Sequence, residues 1–141
     1  MRRLLLLPVL LLLCLNATAN PKQALDALFA AEWERGLQAN PLWAAYYGDF
    51  RFNDRLPDLR PEAIAANRRA DRDALAALRA IDRAALAPDD QLNYDVFAWQ
   101  LEQAIAAHAF HPERIPLDHM NGIQTFDEVL QLLRFESEGD Y

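Results

Sequence analysis

The sequence is poor in the residues that nucleophilic chemistry and phosphate binding use. Cys14 is its only cysteine and Ser137 its only serine, so no G-x-S-x-G turn is present. Its four glycines are all isolated, which excludes a glycine-rich loop that could cradle a phosphate. The chain therefore offers no serine or cysteine nucleophile motif and no nucleotide loop.

Positive charge is also scarce. Fourteen basic residues face 21 acidic ones, for a net charge of −7, and Lys22 is the only lysine. Nucleic acids and anionic membranes attract basic patches, so this balance disfavours both as partners.

The chain has only one long apolar run, at residues 4–15, and it is too short to span a bilayer, which takes about 20 residues. The run follows Arg2 and Arg3 and precedes the small-x-small triplet at residues 17–19. This order is typical of a signal peptide, here cleaved after Ala19, and it predicts export to the periplasm or beyond. An uncleaved anchor is the alternative.

Two other export routes do not fit this segment. Arg2 and Arg3 lack the flanks of a twin-arginine signal, and Leu13 stands before Cys14 where lipid attachment needs a small residue. Cleavage removes Cys14, so the mature chain can form no disulfide. It also removes the two arginines, which leaves 12 basic and 21 acidic residues and a net charge of −9.

The rest of the sequence predicts an all-α fold with about five helices and no strand. Asn-Pro, x-Pro and capping-box signals mark the helix starts, and apolar residues recur at three- and four-residue spacing. The predicted helices are Pro21 to about Ala39, Leu42–Tyr47 ending at Gly48, Pro61 to Asp82, Pro88 to about His111, and one starting at the Thr125 and Glu128 capping box. Because only a short connection joins them, the third and fourth should form an antiparallel hairpin.

The fourth helix is apolar around most of its circumference, which is too much for a helix packed on one side only. Its apolar residues are Leu92, Tyr94, Val96, Phe97, Trp99, Leu101 and Ile105. It should be central, or it should have partners that this chain does not supply. The aromatics at 94, 97 and 99 could line a ligand pocket, but we interpret them as core.

Three histidines are the first candidates for a metal site. His108 and His111 are one turn apart, and His119 follows in an irregular segment. No H-E-x-x-H glutamate accompanies them and Pro112 ends the helix, so we assign no zinc ligand. His108 instead suits a helix C-terminus, where the dipole favours positive charge.

Carboxylates are plentiful, and each group has a simple interpretation. We interpret Asp71 with Asp73, Asp89-Asp90 and Asp127-Glu128 as helix starts and solvated faces. Asp49, Asn53, Asp54 and Asp58 resemble calcium ligands, but their spacing does not match the calcium-binding loop. The sequence thus assigns no catalytic, cofactor-binding or metal residue.

The stretch at residues 46–59, YYGDFRFNDRLPDL, differs most from its surroundings. A binding loop, a metal loop and a connector are the alternatives, and Pro57 argues against a central strand. We interpret it as an ordered connector that Phe50 and Phe52 anchor on the helices. Its charged residues should pair with one another or with nearby backbone: Asp49, Arg51, Asp54 and Arg55.

Three signatures occur in order along the chain: G-D-F-R-F-N-D-R-L-P-D at 48–58, D-Q-L-N-Y-D at 90–95, and P-L-D-H-M-N-G-I-Q-T at 116–125. With them the sequence from Leu25 to Tyr141 resembles the N-terminal part of a bacterial family, domain of unknown function 885. Where relatives often carry a serine before the helix-starting proline, this chain has Arg60 and Ala87. Each departure removes a capping hydroxyl, which lowers the stability of the helix by about 1 kcal/mol.

The resemblance implies an exported, all-helical, zinc-metallopeptidase-like fold. Longer relatives carry an H-E-x-x-P-G-H motif downstream for the metal and the water-activating glutamate, and that motif is absent here. Residues 20–141 are thus expected to be the truncated N-terminal region of a larger domain, not catalytically competent as it stands. Its partner would be the missing C-terminal catalytic region, with a peptide substrate only in the intact protein. The alternative is a stand-alone exported helical interaction module.

Overall fold

The computed structural model describes residues 20–115 and the single positions 117, 122, 124 and 138. This part of the chain contains four α-helices, three short 3-10 turns and no strand, which confirms the all-α prediction. The helices are α1 (Pro21–Ala39), α2 (Pro41–Tyr46), α3 (Pro61–Arg79) and α4 (Pro88–Ala107). The 3-10 turns are Arg83–Ala85, His108–Phe110 and Pro112–Arg114.

Several predicted features lie outside the described residues. They are the signal segment at 1–19, His119, the capping box at Thr125 and Glu128 with the helix it would start, the Asp127-Glu128 pair and Ser137.

Each α-helix begins with a proline at its first position, as predicted for α1, α3 and α4. The second helix begins at Pro41, one residue before its predicted start at Leu42. The side chain of Asn20 accepts a hydrogen bond from the backbone N–H of Lys22 at 3.0 Å, and Asn40 caps α2 in the same way. Arg60 and Ala87 make no side-chain cap. The two predicted weak helix starts are therefore confirmed.

Two helices end several residues earlier than the sequence predicts, and α2 ends one residue early, at Tyr46. The third ends at Arg79 instead of Asp82, because the Asp82 side chain accepts a hydrogen bond from the N–H of Ala84 and starts a new turn. The fourth ends at Ala107, and the chain then turns sharply at His111, which has a φ of 50°. In both places a local hydrogen-bonded turn competes with continuation of the helix.

Side-chain contacts between α3 and α4 show that the two helices form the predicted antiparallel hairpin. Arg79, at the end of α3, pairs with Glu102 of α4. Asp71, which lies earlier in α3, pairs with His108, which lies after Glu102 in the chain. The main core lies between these helices and α1. Its buried residues are Leu25, Ala74, Leu75, Leu78, Leu86 and Leu101. Phe29 of α1 and Phe97 of α4 close its edge in a T-shaped contact with ring centres 5.1 Å apart.

A second, smaller core holds α2 and the connector against the end of α1. Leu37, Ala44 and Phe52 are its buried members. In the described part of the chain, no helix combines the length and the apolar character needed to cross a bilayer.

Candidate functional surfaces and charge networks

The connector at residues 46–59 is ordered by one buried ring and one arginine. Phe52 is buried, and the guanidinium groups of Arg51 and Arg55 lie 4.8 and 4.9 Å from its ring centre. Arg51 also donates to Asp49 at 2.6 Å and to Glu34 of α1 at 2.8 Å. The predicted anchoring by Phe52 and pairing of Arg51 with Asp49 are confirmed.

The connector carboxylates that resemble calcium ligands each face an arginine. Asp58 accepts from Arg60 at 2.5 Å, and this hydrogen bond lowers the pKa of Asp58 to about 2. Arg51 lowers the pKa of Asp49 in the same way. Both carboxylates therefore already have a cationic partner, Arg51 within the connector for Asp49 and Arg60 directly after the connector for Asp58.

A charge network joins three helical elements through Asp71. Arg35 of α1 donates to Glu32 at 2.7 Å and to Asp71 of α3 at 2.8 Å. The other oxygen of Asp71 lies 3.0 Å from Nε2 of His108, just after α4. The interpretation of Asp71 as part of a solvated face is wrong, because it is mostly buried between α1 and the end of α4. Asp73 is exposed, as the sequence suggested.

The second histidine belongs to a separate cluster. Arg68 of α3 donates to Glu113 at 2.9 Å, and Nδ1 of His111 lies 3.0 Å from the same carboxylate. The backbone N–H of Glu113 itself, together with His111 and Arg68, lowers the pKa of this carboxyl. The contacts hold His111 in a left-handed conformation that costs a non-glycine residue about 1 kcal/mol or more.

The two described histidines thus contact different carboxylates. Nowhere among the described residues do three side chains of His, Cys, Asp or Glu come together in an arrangement that could hold a metal ion. These residues do not fit a zinc site. Their charge networks tie α1, α3 and the end of α4 together, which is a structural role.

The fourth helix has two apolar faces, of which the core uses one. Tyr94, Phe97 and Leu101 point to the core. Leu92, Val96 and Trp99, which we name the open face, are 63%, 46% and 61% exposed. The predicted excess of apolar surface is confirmed.

The prediction that Trp99 belongs to the core is wrong. A residue two positions after Phe97 lies about 200° further around the helix, because each residue of an α-helix turns the chain by about 100°. Phe97 packs on the core, so Trp99 must point to the opposite side.

A groove borders the open face on the side of α1. It has a volume of about 460 Å³, and its walls include Phe29 of α1 with Leu92, Val96 and Gln100 of α4. A neighbouring hollow of about 390 Å³ shares Phe29 and Gln100 and continues towards Trp33. The second hollow is also lined by the charged residues Glu32, Arg35 and Asp71.

Sequence reasoning missed a second exposed surface, which we name the aromatic cluster. Its members are Trp33, Trp43, Tyr46 and Tyr47. The signal was present in the sequence, because positions 43, 46 and 47 have the i, i+3, i+4 spacing that places side chains on one helix face.

Comparison with known proteins gives one positive result. No curated protein and no solved structure matches the chain. A family model, "Bacterial protein of unknown function (DUF885)", matches residues 41–141, which is well over half of the chain and includes all three sequence signatures. The chain therefore belongs to the DUF885 family.

Proposed function

We propose that this chain is the N-terminal helical region of an exported, zinc-metallopeptidase-like hydrolase. Its role is to pack on the catalytic region and to help wall the cleft for a peptide substrate. The open face of α4 carries this proposal. Zinc and the water-activating glutamate would belong to the catalytic region, because the described residues here offer no metal-binding group.

The open face has the character of an interface. Leu92, Val96 and Trp99 lie one turn apart along the helix, so they form a continuous apolar stripe. Exposed apolar patches of this kind mark protein contacts, and a tryptophan is a common anchor of binding energy. The adjoining groove against Phe29 gives a partner helix a place to pack.

Mixing experiments test this packing. The full chain is combined with the H-E-x-x-P-G-H-bearing region of a longer DUF885 protein, and the mixture is analysed by size-exclusion chromatography. We expect co-elution, and we expect the Leu92→Gln, Val96→Ser and Trp99→Gln triple variant to lose it. A double variant of Leu56→Gln and Leu59→Gln is the matched control, because both leucines are exposed but lie on the connector.

The outcome separates the proposal from the stand-alone interaction module. Failure to co-elute, together with a sharp thermal transition and no binding of a hydrophobic dye, would favour the stand-alone module. Dye binding that falls in the triple variant but persists in the connector control supports the proposed role of the open face.

Export is tested at the N-terminus. If residues 1–19 act as a cleaved signal, the exported product should begin at Asn20, and its mass should lack the segment containing Cys14. Replacing Ala17 and Ala19 by arginine should block cleavage, whereas replacing them by glycine should preserve it. A full-length mass for the wild-type exported product would contradict this part of the proposal.

A further inference from the structure

The aromatic cluster is built from α1, from α2 and from Tyr47, which directly follows α2. Tyr47 contacts Trp33 of α1 at 5.1 Å and stacks on Trp43 of α2 at 6.0 Å between ring centres. Tyr46 packs edge-on against Trp43 at 5.4 Å. All four side chains are between 53% and 60% exposed, so the cluster lies on the surface and not in either core.

Three of the four rings line a cavity of about 250 Å³. The residues that line it include Glu32, Trp33, Gly36, Trp43 and Tyr47. A Cβ atom at Gly36 would meet nothing within 4 Å, so the cavity has free space above the helix. The volume lies just below the roughly 300 Å³ at which drug-sized pockets begin, which suits a headgroup or one long side chain.

The chemistry of the walls favours a cation. Aromatic ring faces carry negative electrostatic potential and attract ammonium groups. Glu32 adds a carboxylate, and both of its hydrogen bonds from Arg35 fall on Oε2. Oε1 receives no hydrogen bond from the residues that the structure describes. Arg35 is held between Glu32 and Asp71 and is not one of the groups lining the cavity.

We propose that the aromatic cluster binds an organic ammonium group in the cavity lined by Trp33, Trp43 and Tyr47, with Glu32 as the counter-charge. The excess of acidic over basic residues in the chain attracts the same kind of ligand. This site does not depend on the proposed function. It lies on α1 and α2 and needs no catalytic region, so either proposal can fail while the other stands.

Paired ligands of equal shape test the role of charge. The full chain is titrated with choline and with its neutral isostere, 3,3-dimethylbutan-1-ol, and binding is followed by tryptophan fluorescence and indole N–H NMR signals. We expect saturable choline binding with a Kd on the order of 1–10 mM, and at least about fivefold weaker binding of the alcohol. Equal affinity for both ligands, or no saturable choline binding, would overturn the proposal.

A third ligand identifies the source of the ammonium group. Nα-acetyl-lysine amide presents the ammonium of a polypeptide side chain, whereas choline presents a quaternary headgroup. Tighter binding of the lysine derivative assigns the site to a basic polypeptide, and tighter binding of choline assigns it to a quaternary ammonium compound. Either result supports an ammonium site.

Variants locate the binding within the cluster. Tyr47→Leu should weaken choline binding about two- to fivefold, which corresponds to the loss of one ring contact. Tyr46→Leu is the matched control, because Tyr46 belongs to the cluster but does not line the cavity. Equal weakening in both variants would refute the assigned position.

Filling the cavity provides a second test that leaves the rings intact. Gly36→Leu should abolish choline binding, whereas Gly36→Ala, with a single Cβ in open space, should retain it. Should thermal unfolding show that Gly36→Leu does not fold, Glu32→Gln replaces it. That variant should weaken choline binding and leave binding of the neutral alcohol unchanged. Unchanged choline affinity in the variant used would count against the proposal.

Discussion

Removing the carboxylate of Asp71 should destabilise the fold far more than removing that of Asp73, two residues along the same helix. Asp71 accepts from Arg35 at 2.8 Å and contacts His108 at 3.0 Å, and its side chain is only 18% exposed. Asp73 is exposed. Both substitutions to alanine raise helix propensity equally, so the difference between them isolates the lost contacts.

The size of the effect follows from the contacts and their burial. A hydrogen bond to a charged group contributes about 1.5–3 kcal/mol, and breaking a fully buried ion pair costs about 3–5 kcal/mol. Arg35 is 30% exposed, so water screens part of its interaction and the lower range applies. We expect Asp71→Ala to lower the free energy of unfolding by about 2–3 kcal/mol, and Asp73→Ala to change it by less than about 0.5 kcal/mol.

Urea unfolding at pH 7, followed by far-UV circular dichroism, measures this difference. With a slope of about 1–3 kcal/mol per molar urea, a loss of about 2–3 kcal/mol should lower the midpoint of Asp71→Ala by about 0.7–3 M. A double-mutant cycle of Arg35→Met with Asp71→Ala should give a coupling energy of about 1 kcal/mol or more. An equal loss of unfolding free energy in the Asp71 and Asp73 variants, or no coupling energy between Arg35 and Asp71, would refute the role given to the charge network.

Three further predictions concern the backbone, a helix cap and one carboxyl group. Gly48→Ala should lower the free energy of unfolding by about 1–2 kcal/mol, because Gly48 has a φ of +83°. Gly36→Ala, inside α1, should raise it by about 0.5–1 kcal/mol. Thermal unfolding checks both variants, and melting-temperature shifts of the same sign would contradict the argument. Ala87→Ser should raise stability by about 1 kcal/mol, because the extended backbone at 87 suits an N-cap, and an unchanged melting temperature would speak against it. Arg60 lowers the pKa of the Asp58 carboxyl from an ordinary 3.8 to about 2. This carboxyl therefore stabilises the fold above pH 3.8, and the contribution is lost as the pH falls through about 2. In an NMR titration, Arg60→Gln should move the Asp58 pKa back towards 3.8, and a wild-type value already near 3.8 would exclude the contact.

Local signals were enough to predict most of the described helices. The Asn20-Pro21 and Asn40-Pro41 pairs place a capping side chain and a fixed φ at consecutive positions, so they define a helix start without reference to the rest of the fold. Helix ends were less predictable. At Asp82, a hydrogen bond to the N–H of Ala84 stops the chain from continuing the helix, and alanine-rich composition gives no sign of it.

The direction in which side chains point was only partly predictable. Tyr94 and Phe97 share a face, but grouping Trp99 with them ignored the helical turn of about 100° per residue. The exposed aromatic cluster was missed for a related reason. Trp33 comes from a different helix, and only the packing of α2 against α1 brings it beside Tyr47.

The sequence by itself determined that this chain is helical and acidic, and it contains no motif of nucleophilic or metal catalysis. The sequence also carries the signatures of the DUF885 family. These properties depend on composition and on short spacings along the chain. Only the tertiary structure decided that Asp71 joins Arg35 to His108 and that α4 exposes a second apolar face. Those features depend on distances between residues far apart in sequence, and such distances are fixed only when the helices pack.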